Sequence, residues 1–250
     1  MRITGNCYAV FGLGYSLPWV VNAGFVVGAE KTLIIDAGPM HLAAQTIYGY
    51  AQNIKPGNEI FVVNTEKHFD HVGGNSFFKE KGIKIYAHEN NLRSEDELKA
   101  EKEYFNKIID NDKRQEAHEE EVFFQNTSIV KPDFILHDDK SFLLGNEVEA
   151  KIIFTPGHTS TNLSVHIPID KVLYCGDCIV NGYLPNLEAG TKDDWIIWLK
   201  SLERISSLDL EYIVPGHGQV INKAQINKEI DRILRVLDNA ILNNKAPTVE

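Results

Sequence analysis

Glu59-Ile60-Phe61-Val62-Val63-Asn64-Thr65 runs without a break into Glu66-Lys67-His68-Phe69-Asp70-His71 and on to Val72-Gly73-Gly74-Asn75. The first seven residues have the apolar, β-branched and aromatic make-up of a short buried strand. That strand delivers a carboxylate, an imidazole, a second carboxylate and a second imidazole, all of metal-ligand type. In an extended segment residues two apart share a face, so Glu66, His68 and Asp70 are expected to converge. His71 then points elsewhere, as a second, adjacent metal would require. Gly73-Gly74 supplies a turn, Asn75 caps a helix through about Lys81, and Gly82 stops it before a strand at Lys84–Ala87.

Upstream of this stretch, Tyr8–Phe11, Val20–Val27 and Lys31–Asp36 read as strands, and Pro39 to Ile54 as a helix stopped near Pro56-Gly57. The order strand, helix, strand, helix, strand implies layered α/β architecture. Downstream, Phe134–Leu136, Phe142–Leu144, Glu147–Phe154, Leu163–Ile167, Lys171–Cys175 and Tyr212–Val214 are strands. Asp193-Asp194 opens a helix with Trp195, Trp198, Leu199, Leu202 and Ile205 on its apolar face, and Ala224–Asn243 forms a last helix. No repeat or linker divides the 250 residues, so one domain over 1–250 is the economical reading. Residues 92–125 stand apart as a charged helical insertion, in which eleven acids and six bases lie between Arg93 and Glu121. A solvated surface explains them, but Val122-Phe123-Phe124 is costly to expose, which suggests a lid over a site or the contact of a homodimer.

A formal charge of −10 and the lack of a basic stripe argue against nucleic acid as a partner. No apolar run approaches the roughly 18–20 residues of a membrane span. The N-terminus does not read as a signal peptide, so a cytoplasmic location is expected. Three cysteines give no disulfide framework, and Cys175-x-x-Cys178 reads as a pair of buried structural thiols because it continues the apolar run Val172-Leu173-Tyr174.

Three further segments repeat the opening design, an apolar strand ending on a ligand-type side chain. Ile153-Phe154-Thr155-Pro156-Gly157 leads to His158, Leu173-Tyr174-Cys175-Gly176 to Asp177, and Ile213-Val214-Pro215-Gly216 to His217. Loops at strand ends can gather on one edge of a layered fold, and Gly or Pro before a ligand fits a sharp turn. Singly, each residue has an ordinary structural explanation, as do His41, His88, His118, His137 and His166, which are assigned no role. Together, in this order, the four segments point to a metal site.

Residues 64–75 resemble the H-x-H-x-D-H signature of the metallo-β-lactamase superfamily. Thr155-Pro156-Gly157-His158-Thr159, Gly176-Asp177 and Pro215-Gly216-His217-Gly218 resemble its later ligand loops. The resemblance implies a four-layer αββα sandwich, two mixed sheets with helices outside and metals at one edge. It implies a first metal at Glu66, His68 and His158, a second at Asp70, His71 and His217, and Asp177 as the bridge. The cofactor implied is Zn2+, one ion or two, with Mn2+ or Fe as alternatives. One departure stands out: Glu66 occupies the position of the family's first histidine, which favours a harder ion or single-metal use at the second site.

The reaction implied is hydrolysis of a small molecule, with metal-bound hydroxide attacking the carbonyl of an ester, thioester, lactone or amide and Asp70 as the catalytic carboxylate. Two alternatives share the fold: an iron-dependent oxidoreductase or dioxygenase, and a degenerate, non-catalytic metal-binding protein. Val180 stands where many β-lactamases carry a substrate-binding lysine, which disfavours β-lactams. Only 33 residues follow His217, which weakens the glutathione-thioester branch. Trp19, Tyr183 and Leu184 are candidates to wall an apolar substrate pocket, or are ordinary core and turn residues.

Overall fold

The computed structural model describes residues 1–14, 20–108, 124–187 and 190–247, the side chains of 105–108 excepted. Two six-stranded sheets dominate it. The first has the order β1-β2-β3-β4-β5-β6, formed by β1 (Cys7–Leu13), β2 (Val21–Val27), β3 (Lys31–Ile35), β4 (Glu59–Val63), β5 (Lys84–His88) and β6 (Phe134–Leu136). β1, β2 and β3 pair antiparallel, and β3 to β6 parallel. The second sheet contains β7 (Lys140–Leu143), β8 (Glu149–Phe154), β9 (Leu163–Ile167), β10 (Val172–Tyr174), β11 (Tyr212–Val214) and β12 (Ile221–Asn222). Here only β10 and β11 run parallel.

The side-chain alternation of the strands builds the layers. Leu33, Ile35, Phe61 and Val63 face the second sheet and meet Ala150, Ile152, Val165 and Tyr174 there. Ile34 and Val62 point the other way, beneath α1 (His41–Ile54) and α3 (Asn75–Glu80), where Ala44, Ile47, Phe77 and Phe78 cover them. On the far face, Leu173 and Ile213 pack under α5 (Lys192–Ser206) and α6 (Lys223–Asn243), against Trp198, Leu202, Ile230 and Ile233. Strands buried on both faces read as continuous apolar runs, which is why β3 and β4 show little alternation in sequence. The result is the expected αββα sandwich. Tyr174 ties its two sheets together, its hydroxyl donating to the Tyr8 carbonyl at 3.0 Å. A Cβ on Gly24 would collide with that phenol ring.

The charged segment contains α4 (Glu95–Ile108), whose Leu98 packs with Phe69 and Phe124. Ile109 and Val122-Phe123 lie outside the described residues. Two local readings need correction. Asn75 is the first residue of α3 rather than its cap, because its amide is spent on a reciprocal pair with Asn64, at 2.9 and 3.2 Å. Asp70 does not share the face of Glu66 and His68, because the chain is extended only as far as His68 and then turns through α2 (Phe69–Val72).

Candidate metal centre

The C-terminal ends of β4, β8, β10 and β11 lie along one edge of the sandwich, and the four ligand-bearing loops leave from them. A backbone bond from Leu163 N–H to the Thr65 carbonyl, 2.6 Å, joins the two sheets there. The loops bring together two groups of potential ligands: Glu66, His68, His158 and Asp177, and Asp70, His71 and His217. Within each group the ligand atoms lie within 4.8 Å of one another. Asp177 also touches the second group, its Oδ1 3.4 Å from His71 Nε2 and its Oδ2 3.3 Å from His217 Nε2. The same Oδ2 is 3.6 Å from His158 Nε2. The seven side chains named from the sequence as candidate ligands thus converge at this edge.

Three imidazoles are oriented in one sense. His71 Nδ1 meets Asp36 Oδ2 at 2.9 Å, His217 Nδ1 the Val20 carbonyl at 3.0 Å, and His158 Nδ1 the Asn186 carbonyl at 3.2 Å. With Nδ1 engaged, each ring turns Nε2 into the centre, the usual way a protein fixes the tautomer of a metal-binding histidine. His217 Nε2 sits 3.2 Å from Asp70 Oδ2, and His68 Nδ1 2.9 Å from Glu66 Oε2.

The loops are braced by residues whose roles were not read from the sequence. Asp36, at the end of β3 with φ of 64°, accepts from Thr65 N–H and Thr65 Oγ1, both at 2.7 Å, as well as holding His71. Asn22 Nδ2 donates to the carbonyls of Pro215 and Gly218 on either side of the His217 loop. Asn162 Nδ2 reaches Thr155 Oγ1 and the Cys175 carbonyl, linking the His158 and Asp177 loops. Asp36 was visible only as a strand-ending acid before Ala-Gly-Pro; Asn22 and Asn162 carried no signal, since nothing local separates a brace from a turn asparagine. Gly216 is required because a Cβ there would run into Asp177 Oδ1.

The centre is buried and charge-dense. Burial alone would push the Glu66 carboxyl up, but the imidazoles of His158, His68 and His71 bring it below its ordinary range. Burial opposes charge on His71, yet Asp70, Asp36 and Glu66 hold it well above the usual imidazole value. His217, disfavoured by burial in the same way, is raised to about 11 by Asp177 and Asp70, and Asp70 in turn is lowered to about 2 by His71 and His217 against its own burial. The carboxylates thus favour the charged forms of His71 and His217. Even so, Glu66 Oε1 and Oε2, His71 Nε2 and Asp177 Oδ1 are buried without a well-aligned hydrogen bond, the 2.9 Å approach of His68 Nδ1 to Glu66 Oε2 being an ion-pair contact. Orphaned buried polar atoms are rare and costly. Four of them converging, three acceptors and one imidazole nitrogen, are what a mixed N/O metal site leaves when described by its protein atoms alone. The donor set fits a divalent metal.

The remaining candidates are more peripheral. The Tyr183 ring lies 6.5 Å from that of His217, and Leu184 is 40 % exposed. Arg232 fixes this loop by donating to the carbonyls of Val180 and Tyr183. Trp19 lies outside the described residues. Cys175 and Cys178 are free and buried, and burial pushes both thiols up, that of Cys178 to about 12. No helix among the described residues is long and apolar enough to cross a membrane.

Several known proteins are similar. An acyl-coenzyme A thioesterase of Gallus gallus is 24 % identical over 228 residues, which cover 88 % of this chain and 78 % of that protein. A hydroxyacylglutathione hydrolase of Rhizobium meliloti is 31 % identical over 115 residues, 46 % of this chain and 41 % of the relative. A beta-lactamase-like protein 2 homolog of Caenorhabditis elegans is 39 % identical over 75 residues, and the chain spans only 23 % of its length. Among solved structures, a metallo-beta-lactamase from Pontibacter korlensis superposes with a TM-score of 0.69 at 19 % identity, covering 96 % of this chain and 98 % of that one. A metallo-beta-lactamase family protein of Thermus thermophilus gives 0.70 at 19 % identity, with 97 % and 82 % covered. Likeness at that identity concerns the fold alone. The family model of the metallo-beta-lactamase superfamily, however, matches residues 17–217, a span that contains all seven ligand-type side chains of the centre. This chain belongs to the metallo-beta-lactamase superfamily.

Proposed function

We propose that the chain is a zinc-dependent hydrolase with a binuclear centre, cleaving a carbonyl compound of the thioester or ester class. Glu66, His68 and His158 would hold the first metal, Asp70, His71 and His217 the second, with Asp177 between them. The observation that carries this reading is the convergence of these seven side chains with four buried, unpartnered ligand atoms among them. A bound divalent metal supplies Lewis acidity, which makes water nucleophilic near neutral pH and polarises a carbonyl.

The chain's own residues do the rest. Asp70 Oδ2, beside His217 and partly open to solvent, is placed to orient a water molecule and take its proton. Asp36, Val20 and Asn186 keep the three imidazoles facing inward, so little reorganisation accompanies reaction. Aromatic rings flank the centre, Trp198 lying edge-on to His158 at 5.6 Å and Tyr183 beside His217. Thioesters are favoured within the carbonyl class because the similar proteins include an acyl-coenzyme A thioesterase, a hydroxyacylglutathione hydrolase and an acyl-carrier-protein thioesterase, of Aspergillus fumigatus.

The test is elemental analysis of the purified protein and of Glu66→Ala, beside turnover of acyl thioesters, aryl esters and lactones. Two zinc ions per chain, falling towards one in the variant with loss of thioester cleavage, is the expected result. One ion in both proteins would remove Glu66 from the centre. Iron with oxygen uptake and no hydrolysis would replace the hydrolase reading with a redox one.

A further inference from the structure

Arg93 has no hydrogen bond among the described residues, although only 14 % of its side chain is exposed. Its Nε is buried without a partner. Among the described residues its Nη groups reach carboxylates of the helix it precedes, Glu97 at 3.4 Å and Glu101 at 4.0 Å. Those are ion-pair separations rather than hydrogen bonds. Glu97 divides its carboxylate, Oε1 facing Arg93 and Oε2 accepting from Ser94 N–H at 2.6 Å as part of the N-terminal cap of α4. Guanidinium carries five donors in a fixed fork and keeps its charge at any physiological pH, so leaving its buried Nε–H unmatched is costly. An exposed i,i+4 pair with Glu97 would need no burial at all. Two residues earlier, Asn91 repeats the feature: it is buried, and its Oδ1 has no partner.

Asn91 stands beside the candidate metal centre, and Arg93 follows two residues later. Asn91 Nδ2 donates to the backbone carbonyl of Glu66 at 2.9 Å. Leu98 of α4 packs on Phe69, the residue before Asp70. These two contacts place the start of α4 at the rim of the centre. The molecule as a whole carries −10, so an anion approaching that rim meets general repulsion and needs a local cation.

We propose that Arg93, with Asn91 beside it, receives an anionic group of the substrate, a carboxylate or a phosphate remote from the bond that is cleaved. The guanidinium fork matches either anion in two-pronged fashion, and Asn91 Oδ1 accepts a neighbouring N–H or O–H of the same ligand. That the ligand is a substrate rests on the hydrolase reading above; the anion site itself does not.

The test uses the full, metal-loaded chain and the variants Arg93→Gln and Arg93→Lys. Calorimetric titration with succinate and with methyl phosphate reads the site without turnover. Any binding of these anions to the metals is common to all three proteins, so the difference between them isolates Arg93. Affinity is expected to fall about 10- to 100-fold in Arg93→Gln, the loss of one or two charge-assisted hydrogen bonds, and by less in Arg93→Lys. A loss for succinate alone assigns the site to carboxylates, and for methyl phosphate alone to phosphates. In turnover, S-acetylpantetheine 4′-phosphate is compared with neutral S-acetylpantetheine, and mono-4-nitrophenyl succinate with 4-nitrophenyl butyrate. The anionic-to-neutral ratio of kcat/KM is expected to fall by the same factor, through KM. Undiminished anion affinity in Arg93→Gln, or an equal loss for neutral and anionic partners, overturns the proposal. If Arg93→Gln does not fold, Arg93→Lys decides by the same ratio. Failure of every compound to turn over, with the calorimetric difference intact, would sink the hydrolase reading and leave the anion site standing.

Discussion

Asp36→Asn isolates the contribution of a residue that touches no metal position yet holds one of the ligands. In the native site Oδ1 accepts from Thr65 N–H, and Oδ2 accepts from Thr65 Oγ1 and faces His71 Nδ1. Asparagine keeps the volume but offers one acceptor oxygen and one NH2 group. Thr65 N–H cannot reverse its polarity, so the remaining oxygen must stay with it. The NH2 then faces His71 Nδ1 and is satisfied only if that nitrogen becomes the acceptor. The imidazole proton moves to Nε2, the nitrogen that faces Glu66 and Asp177 at 3.4 Å. A metal at the second position must therefore first displace the wrong tautomer. Partners of metal-binding histidines are worth about 10- to 100-fold in affinity, or about 1.4–2.7 kcal/mol at 1.36 kcal/mol per decade. On the proposed binuclear reading, competition with a chromophoric zinc chelator should show weakening of that size for one ion, with the other, which Glu66, His68 and His158 would hold, changed less. Native stoichiometry and affinity at both positions would refute the tautomer argument. Equal weakening at both positions would mean that Asp36 supports the whole edge rather than His71.

Other outcomes follow from the same geometry. Gly216→Ala drives a methyl into Asp177 Oδ1; overpacking of this kind costs about 1–3 kcal/mol, so the variant should melt earlier and lose metal, and a fully loaded variant with native stability would contradict the packing. Cys7, Cys175 and Cys178 are buried, and burial lifts the Cys7 and Cys178 thiols to about 12; Ellman's reagent should therefore find none reactive in the folded protein and three after denaturation. In the metal-free protein, His217 is raised from 6.5 to about 11, so its stabilising charge is fully present below about pH 6.5 and is lost as pH rises towards 11. Asp70, lowered from 3.8 to about 2, acts in the opposite sense, its contribution being lost as pH falls through that window. Melting of the chelated protein should thus weaken on the alkaline side, whereas the metal-loaded protein should be flatter there; identical alkaline profiles would speak against a proton-balanced centre.

What the sequence determined by itself was whatever depends on neighbours along the chain. Apolar runs bounded by Gly and Pro located β3, β4, β8 and β10 to within a residue or two, and Trp195, Trp198, Leu202 and Ile205 revealed the buried face of α5. The ligand-type side chains were legible because each follows directly on such a strand. Local rules erred where a tertiary partner overrode them. Asn75 gave up a capping role for Asn64, and the turn at Phe69 sent Asp70 to the second ligand group instead of the first. Only the tertiary structure could show that Asp36, Asn22 and Asn162 brace loops up to 196 residues away, since an asparagine or aspartate at a strand end looks the same with or without a distant partner. The same holds for Arg93. A charged residue in an acidic helical segment reads as solvated surface, and its buried, unmatched Nε–H appears only when the fold lays α4 against Phe69.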